Sequence, residues 1–267
     1  MALVYWVVAL LKKASLMGAF FLLLATPLYA TNNFCPLKKA LPEYSVQRVV
    51  DGDTLRLQDG RRVRLIGINA PELGGSGRSA EPYAVQASRY LRSLIQANNG
   101  KVAVQVGQQS HDRYGRLLAN LYDAKGVSLE EQLLSKGLAY HVAIAPNLNL
   151  AECLAHAENS ARQQQLGLWQ AAHYIPAQAL NSGGFTLLQG RIQQVQRNRG
   201  GVWLELGHSV TVNIPPEALQ YFTVEQFANW QGRDLQVRGW VAGRSRHKAQ
   251  YARWRLTVSH PSMLNLQ

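Results

Sequence analysis

The chain has 267 residues, 47% hydrophobic and 16% charged, which excludes a disordered tail and leaves room for one large globular core or two modest ones. Lys and Arg number 28 against 16 Asp and Glu, for a net charge of +12, and a surplus of that size favours a polyanionic partner such as nucleic acid or an anionic surface. Two cysteines and seven histidines, without the spacing of a ligand set, set zinc-thiolate chemistry aside.

The N-terminus reads as an export signal over residues 1–30. Lys12-Lys13 precede the apolar stretch Ala14 to Ala25, and Thr26-Pro27-Leu28-Tyr29-Ala30 supplies the small residue before a cleavage site. The mature chain is then expected to start at Thr31, in the periplasm or outside the cell, with no stable membrane insertion once the signal is removed. An uncleaved anchor is the alternative. In an exported chain an even cysteine count favours a bond between Cys35 and Cys153.

After an N-terminal segment, 31–43, the pattern alternates as strands do: Val46 to Val50, an Asp51-Gly52-Asp53 turn, Thr54 to Leu57, an Asp59-Gly60 turn, then Val63 to Ile68. A Gly/Ser-rich loop, Gly74 to Gly77, leads into a helix with Tyr83, Ala87, Leu91, Leu94 and Ile95 on its apolar face, ending at Asn98-Asn99-Gly100. Two strands follow, Lys101 to Val106 and Leu117 to Tyr122. Two helices come next, opened by the capping pairs Ser128/Glu131 and Asn149/Glu152. This order predicts a mainly β fold with helices, a five-stranded OB-type barrel over residues 44–170.

Residues 171–184 lack periodicity and read as a linker. From 185 to 260 the order is three strands, a helical stretch Pro216 to Trp230, and two strands, which predicts a second, smaller OB-like barrel. Arg191, Arg197, Arg199, Arg233, Arg238, Arg244, Arg246, Lys248, Arg253 and Arg255 make it basic. Trp203, Tyr221, Trp230, Trp240, Tyr251 and Trp254 are interleaved with them, the composition of a surface that stacks bases and tracks a phosphate backbone. Aromatics at alternating strand positions also build cores, so a structural or protein-docking role stands beside that one.

Three runs carry chemistry: Asp51-Gly52-Asp53-Thr54, Arg64-Leu65-Ile66-Gly67-Ile68-Asn69-Ala70-Pro71-Glu72, and Arg113-Tyr114-Gly115-Arg116. Each alone reads as a turn or a solvated strand end. Together they assemble hard oxygen donors for a divalent cation, a carboxylate able to hold a water, and two guanidiniums able to fork onto a phosphate. In this order and spacing, from about Tyr44 to Trp169, they resemble the staphylococcal nuclease (thermonuclease) family.

That resemblance implies a calcium-dependent hydrolase cutting phosphodiester bonds of DNA and/or RNA. It implies that Arg64 and Arg116 neutralise the scissile phosphate and that Glu72 activates water. It further implies that Asp53, Asn69 and the Ala70 carbonyl hold Ca²⁺, and that Arg113 and Tyr114 contact substrate. Two positions depart from the family. Asn69 stands where an aspartate is common, removing a full charge from the metal site. Tyr140 to Pro146 lacks the paired tyrosines that stack on a base. A non-catalytic nucleic-acid-binding scaffold of the same fold is the alternative, and a basic protein recognising anionic glycans a third reading.

Overall fold

Short alternating runs punctuated by Asp-Gly turns build the first barrel. Residues 34–75, 77, 79–244 and 252–267 are described in the computed structural model of the protein, so the export signal, Arg246, Lys248 and Tyr251 lie outside the described residues. β1 (Glu43–Val49), β2 (Thr54–Leu57) and β3 (Arg62–Leu65) form the expected meander. The strand expected to continue to Ile68 instead breaks at Ile66-Gly67. Its end becomes a separate strand, β4 (Ile68–Asn69), which leaves the barrel to pair with β7 (Tyr140–His141), Asn69 lying opposite Tyr140. β5 (Lys101–His111) runs past the expected Val106, and β6 (Leu117–Tyr122) lies parallel to β3. The order β1-β2-β3-β6-β5 closes a five-stranded barrel. Alternate residues, among them Leu55, Leu57, Val63, Leu65 and Leu121, fill its interior, each worth about 1.5–3 kcal/mol in burial.

Three helices close this barrel. α1 (Ala84–Ala97) buries Ala87, Leu91 and Ile95 at the four-residue spacing of one helical face. α2 (Leu129–Ser135) is capped as expected, Ser128 Oγ accepting the Glu131 N–H at 3.2 Å. Glu131 does not reach back to complete the box; its carboxylate accepts the backbone N–H groups of Phe34 and Cys35 at 2.7 and 2.9 Å, anchoring the N-terminal segment. The cap expected at Asn149 does not form: α3 (Ala151–Gln163) starts after Leu150, with no side-chain cap hydrogen bond. Cys35 and Cys153 are disulfide-bonded, their Cα atoms 5.4 Å apart. The bridge spans a sequence separation of 118, and in the chain-entropy account a loop of that size adds about 4–5 kcal/mol to stability.

The connecting segment is itself packed. β8 (Ile175–Pro176) pairs Ile175 with Leu188, and Ala177 and Leu180 are buried. Then come β9 (Gly184–Asn198), β10 (Gly201–Leu206), β11 (Val210–Ile214), β12 (Asp234–Gly243), β13 (Trp254–Thr257) and β14 (Leu264–Leu266). β9 pairs with β10 on one side and β12 on the other, and β11 runs parallel to β13. The ring β9-β10-β11-β13-β12 therefore repeats the connectivity of the first barrel, with β8 and β14 as additions that the sequence reading did not anticipate. The expected helical stretch is two 3₁₀ turns, Pro216–Tyr221 and Val224–Asn229, separated by extended Phe222. The tighter spiral suits Phe227 and Trp230, which, three residues apart, share one face and enter the core.

The barrels share buried surface. Val142, Ala143 and Ala151 belong to the same apolar cluster as the core of the second barrel. At its edge, Arg238 of β12 pairs with Glu158 of α3 at 2.6 Å, both buried, so Arg238 is not the phosphate contact expected from the basic tail. The other Glu158 oxygen accepts the His141 N–H at 2.6 Å. The His141 ring donates Nδ1–H to the Gly67 carbonyl at 2.9 Å and accepts the Ser262 hydroxyl at Nε2 at 3.0 Å. Burial, reinforced by the Arg238 charge, pulls its pKa down to about 3, keeping it neutral. Of the interleaved aromatics, Trp230 and Trp254 are core residues, whereas Trp240 and Tyr221 are exposed.

Candidate active site

Past the end of β3, at Ile66-Gly67, a cleft of about 1010 Å³ opens, and its lining includes Arg64, Asn69, Glu72, Arg113, Tyr114 and Arg116. Six of the eight expected catalytic, metal-binding and substrate-binding residues thus share one cavity. Asp53 and Ala70 lie just behind it, buried.

Gly52 places Asp53. A Cβ there would sit 2.6 Å from Ala70 Cβ and 2.7 Å from Ala87 Cβ, so only glycine lets the Asp51-Gly52-Asp53 turn lie flat against the end of β4 and against α1. Asp53 Oδ2 then accepts the Ala70 N–H at 2.7 Å and pairs with Arg64 Nη2 at 3.0 Å, while Oδ1 accepts the Thr54 hydroxyl at 3.0 Å. Burial pushes the Asp53 carboxyl above the usual carboxylate range, the Arg64 charge opposing it.

Arg64 is held inward. Its Nη1 donates to the carbonyls of Leu65 and Ile68 at 2.8 and 3.0 Å, and its Nη2 donates to Asn69 Oδ1 at 3.3 Å. Asp53 Oδ2 and Asn69 Oδ1 therefore converge on one nitrogen. Convergent hard oxygens are the kind of donor set a hard divalent cation takes, so Asp53 and Asn69 fit such an ion in donor chemistry, with Ala70 held beside them through its N–H to Asp53. Among the described residues, no group of three or more His, Cys, Asp or Glu is arranged to hold a metal.

Arg116 is positioned differently. Asp112 Oδ1 accepts the N–H groups of Tyr114 and Arg116 at 2.9 and 3.0 Å, and Oδ2 takes the Arg116 Nε–H at 2.6 Å. Gly115, at φ +73, allows the reversal. Burial pushes the Asp112 carboxyl up, but these hydrogen bonds outweigh it and hold the group below the usual range. With its Nε oriented from behind, Arg116 keeps both terminal nitrogens for a ligand. Tyr114 is exposed, with Arg113 4.8 Å and Arg116 5.6 Å from its ring centre.

Glu72 presents its side chain to solvent at the cleft, and its N–H donates to Glu81 at 2.9 Å. Partial burial and the charges of Asp51 and Glu81 raise its carboxyl, with Arg64 and Arg116 opposing.

Asp112, the anchor of Arg116, escaped the sequence reading, although its four-residue spacing could have signalled that role. Trp240, named in the sequence only as one of several aromatics among arginines, also lines the cleft together with Ala242 of β12; nothing local in the sequence assigns them to this site, because their place depends on how the second barrel docks.

An OB barrel whose mouth gathers two arginines and a carboxylate beside hard oxygen donors defines a hydrolase of the nuclease class. A family model described as staphylococcal nuclease homologue matches residues 62–171. Thermonuclease of Staphylococcus hyicus is 33% identical over 129 residues, covering 47% of this chain and 75% of that one. An uncharacterized endonuclease of Escherichia coli is 34% identical over 134 residues, 49% of this chain and 79% of its own length. Thermonuclease of Staphylococcus intermedius is 31% identical over 143 residues, 51% and 83% respectively. The chain belongs to the staphylococcal nuclease family, and the family match ends at residue 171, before the second barrel.

Proposed function

We propose that the protein is an exported, calcium-dependent nuclease that hydrolyses phosphodiester bonds of DNA and/or RNA. Its chemistry resides in residues 44–170, and an OB-like barrel over 185–260 adds to substrate grip. The observation that carries this reading is the meeting of Arg64, Glu72 and Arg116 in one cleft, since only groups sharing a cavity can address one phosphate.

Arg116, oriented by Asp112, offers its terminal N–H groups to the phosphate. Arg64 supplies a second guanidinium by exchanging inward acceptors for phosphate oxygens. Both place positive charge where negative charge grows as water attacks. The Glu72 carboxylate orients that water and takes its proton. Asp53, Asn69 and the Ala70 carbonyl would hold calcium, which would supply Lewis-acid charge at the phosphate. Arg113 and Tyr114 extend the contact surface along the strand.

Export is supported by the disulfide, which suits an oxidising compartment, and by the N-terminal sequence. Among the described residues no helix is long and apolar enough to cross a membrane. Asn69 is the feature favouring a non-catalytic scaffold, while Arg64, Glu72 and Arg116 together favour the enzyme. A digest of plasmid DNA and of RNA with calcium, with magnesium and with EDTA separates them: cleavage in calcium that EDTA abolishes is expected, and intact substrate throughout would refute the enzyme.

A further inference from the structure

The cleft gathers chemically different groups. Besides the arginines and Glu72, its lining includes Ile144 and Ala145 of the first barrel and Trp240 and Ala242 of β12. Ile144 is 51% exposed and Trp240 42% exposed, so these large apolar side chains are open to solvent.

The position of Trp240 follows from strand alternation. Leu235, Val237 and Val241 point into the second barrel, whereas Arg238, Trp240 and Ala242 share its outer face. Arg238 is clamped to Glu158 of the first barrel, and two residues further along the same face, beyond the buried contact, Trp240 emerges in the cleft. Its ring packs against an aromatic neighbour. Phe185, its cross-strand partner, meets it edge-on at 5.2 Å, and Tyr140 lies 5.5 Å beyond Phe185. Tyr140 in turn sits opposite Asn69 in the β4–β7 ladder. An aromatic column thus runs from the strand that carries the site to the exposed indole.

We propose that Trp240 is a stacking platform for an unpaired nucleobase of the substrate strand, so that the second barrel supplies the base-contacting side of the active cleft. This rests on the nuclease reading. A phosphate held by the arginines leaves its attached nucleoside to occupy the rest of the cavity, where Trp240 is an exposed aromatic side chain of the lining. Every base has a π-face, and stacking on an aromatic side chain discriminates little among sequences. In a duplex those faces are already covered by neighbouring pairs, so the platform selects single-stranded or locally opened nucleic acid.

The test uses the full-length protein and a short single-stranded DNA, with binding read by fluorescence anisotropy in EDTA and cleavage read separately in calcium. Trp240→Ala is expected to weaken binding of the single strand by about tenfold, in line with one lost base stack. Trp240→Phe is expected to stay close to the parent, and the Trp240→Ala penalty to vanish on a strand of the same length built from abasic units. Trp240→Leu, apolar but without a π-face, carries the same comparison if Trp240→Ala fails to fold. Unchanged affinity in these variants, equal losses in Phe and Ala, or a penalty that persists on the abasic strand would each overturn the proposal. A parent protein that binds the strand but never cuts it in calcium would contradict the nuclease reading while leaving the stacking contact intact.

Discussion

Asn69 is where one atom bears most on the proposed chemistry. Its Oδ1 shares Arg64 Nη2 with Asp53 Oδ2, at 3.3 and 3.0 Å, so it lies where a second carboxylate oxygen would add a charge to the same point. At about 4 Å and an effective dielectric near 20, that charge is worth roughly 4 kcal/mol per unit of cation charge before water rearranges. Asn69→Asp is accordingly expected to lower the calcium concentration needed for half-maximal cleavage. A calcium titration that leaves the midpoint where it was would remove Asn69 from the metal site.

At the scale of elements, α2 buries a carboxyl in its first turn. Glu130, fully buried in its first turn, accepts the Leu121 N–H at 3.0 Å and the Ser128 hydroxyl at 2.8 Å. Burial outweighs these bonds and pushes its pKa up to about 8. A raised folded-state pKa means that the folded protein keeps a proton the unfolded chain has released. The contribution is therefore whole below the unfolded value of 4.5 and is lost as pH rises toward 8. Glu130→Gln mimics the protonated group and should gain on the parent across that window, by at most about 1.4 kcal/mol per pH unit. Thermal midpoints at pH 5 and pH 8 check this; a difference that is the same at both values would contradict it. The same helix shows what a sequence can disclose. Ser128 announced its start because a cap is a local hydrogen bond, and the strands of both barrels were visible because burial on one face leaves a two-residue period. Asn149 misled because Leu150 occupies the cap position. The break at Ile66-Gly67 was hidden because β4 exists only by pairing with β7, more than seventy positions away.

For the whole molecule, the decisive feature is the seam between barrels, which composition described only as a basic tail. Arg238 and Trp240 look alike in sequence as parts of an arginine-aromatic mixture, yet docking buries the one against Glu158 and exposes the other in the cleft. Glu158→Ala should leave Arg238 buried without its partner and cost roughly 3–5 kcal/mol. The double replacement Glu158→Leu with Arg238→Met should recover most of that loss, and denaturant unfolding of the three proteins checks both. Because Val142, Ala143 and Ala151 are part of the shared core, deleting residues 185–267 would strip the wall of the active cleft together with its support, so substitutions report on substrate grip more cleanly than truncation. In the proposed mechanism this cleft hydrolyses phosphodiesters with Glu72 as the group that activates water. Single-turnover cleavage of DNA in calcium by the parent and by Glu72→Ala, alongside the affinity of each for the same strand, tests it most directly. The Glu72→Ala protein is expected to show a rate reduced on the order of a hundredfold or more with affinity nearly unchanged. Equal cleavage rates in the two proteins would contradict it.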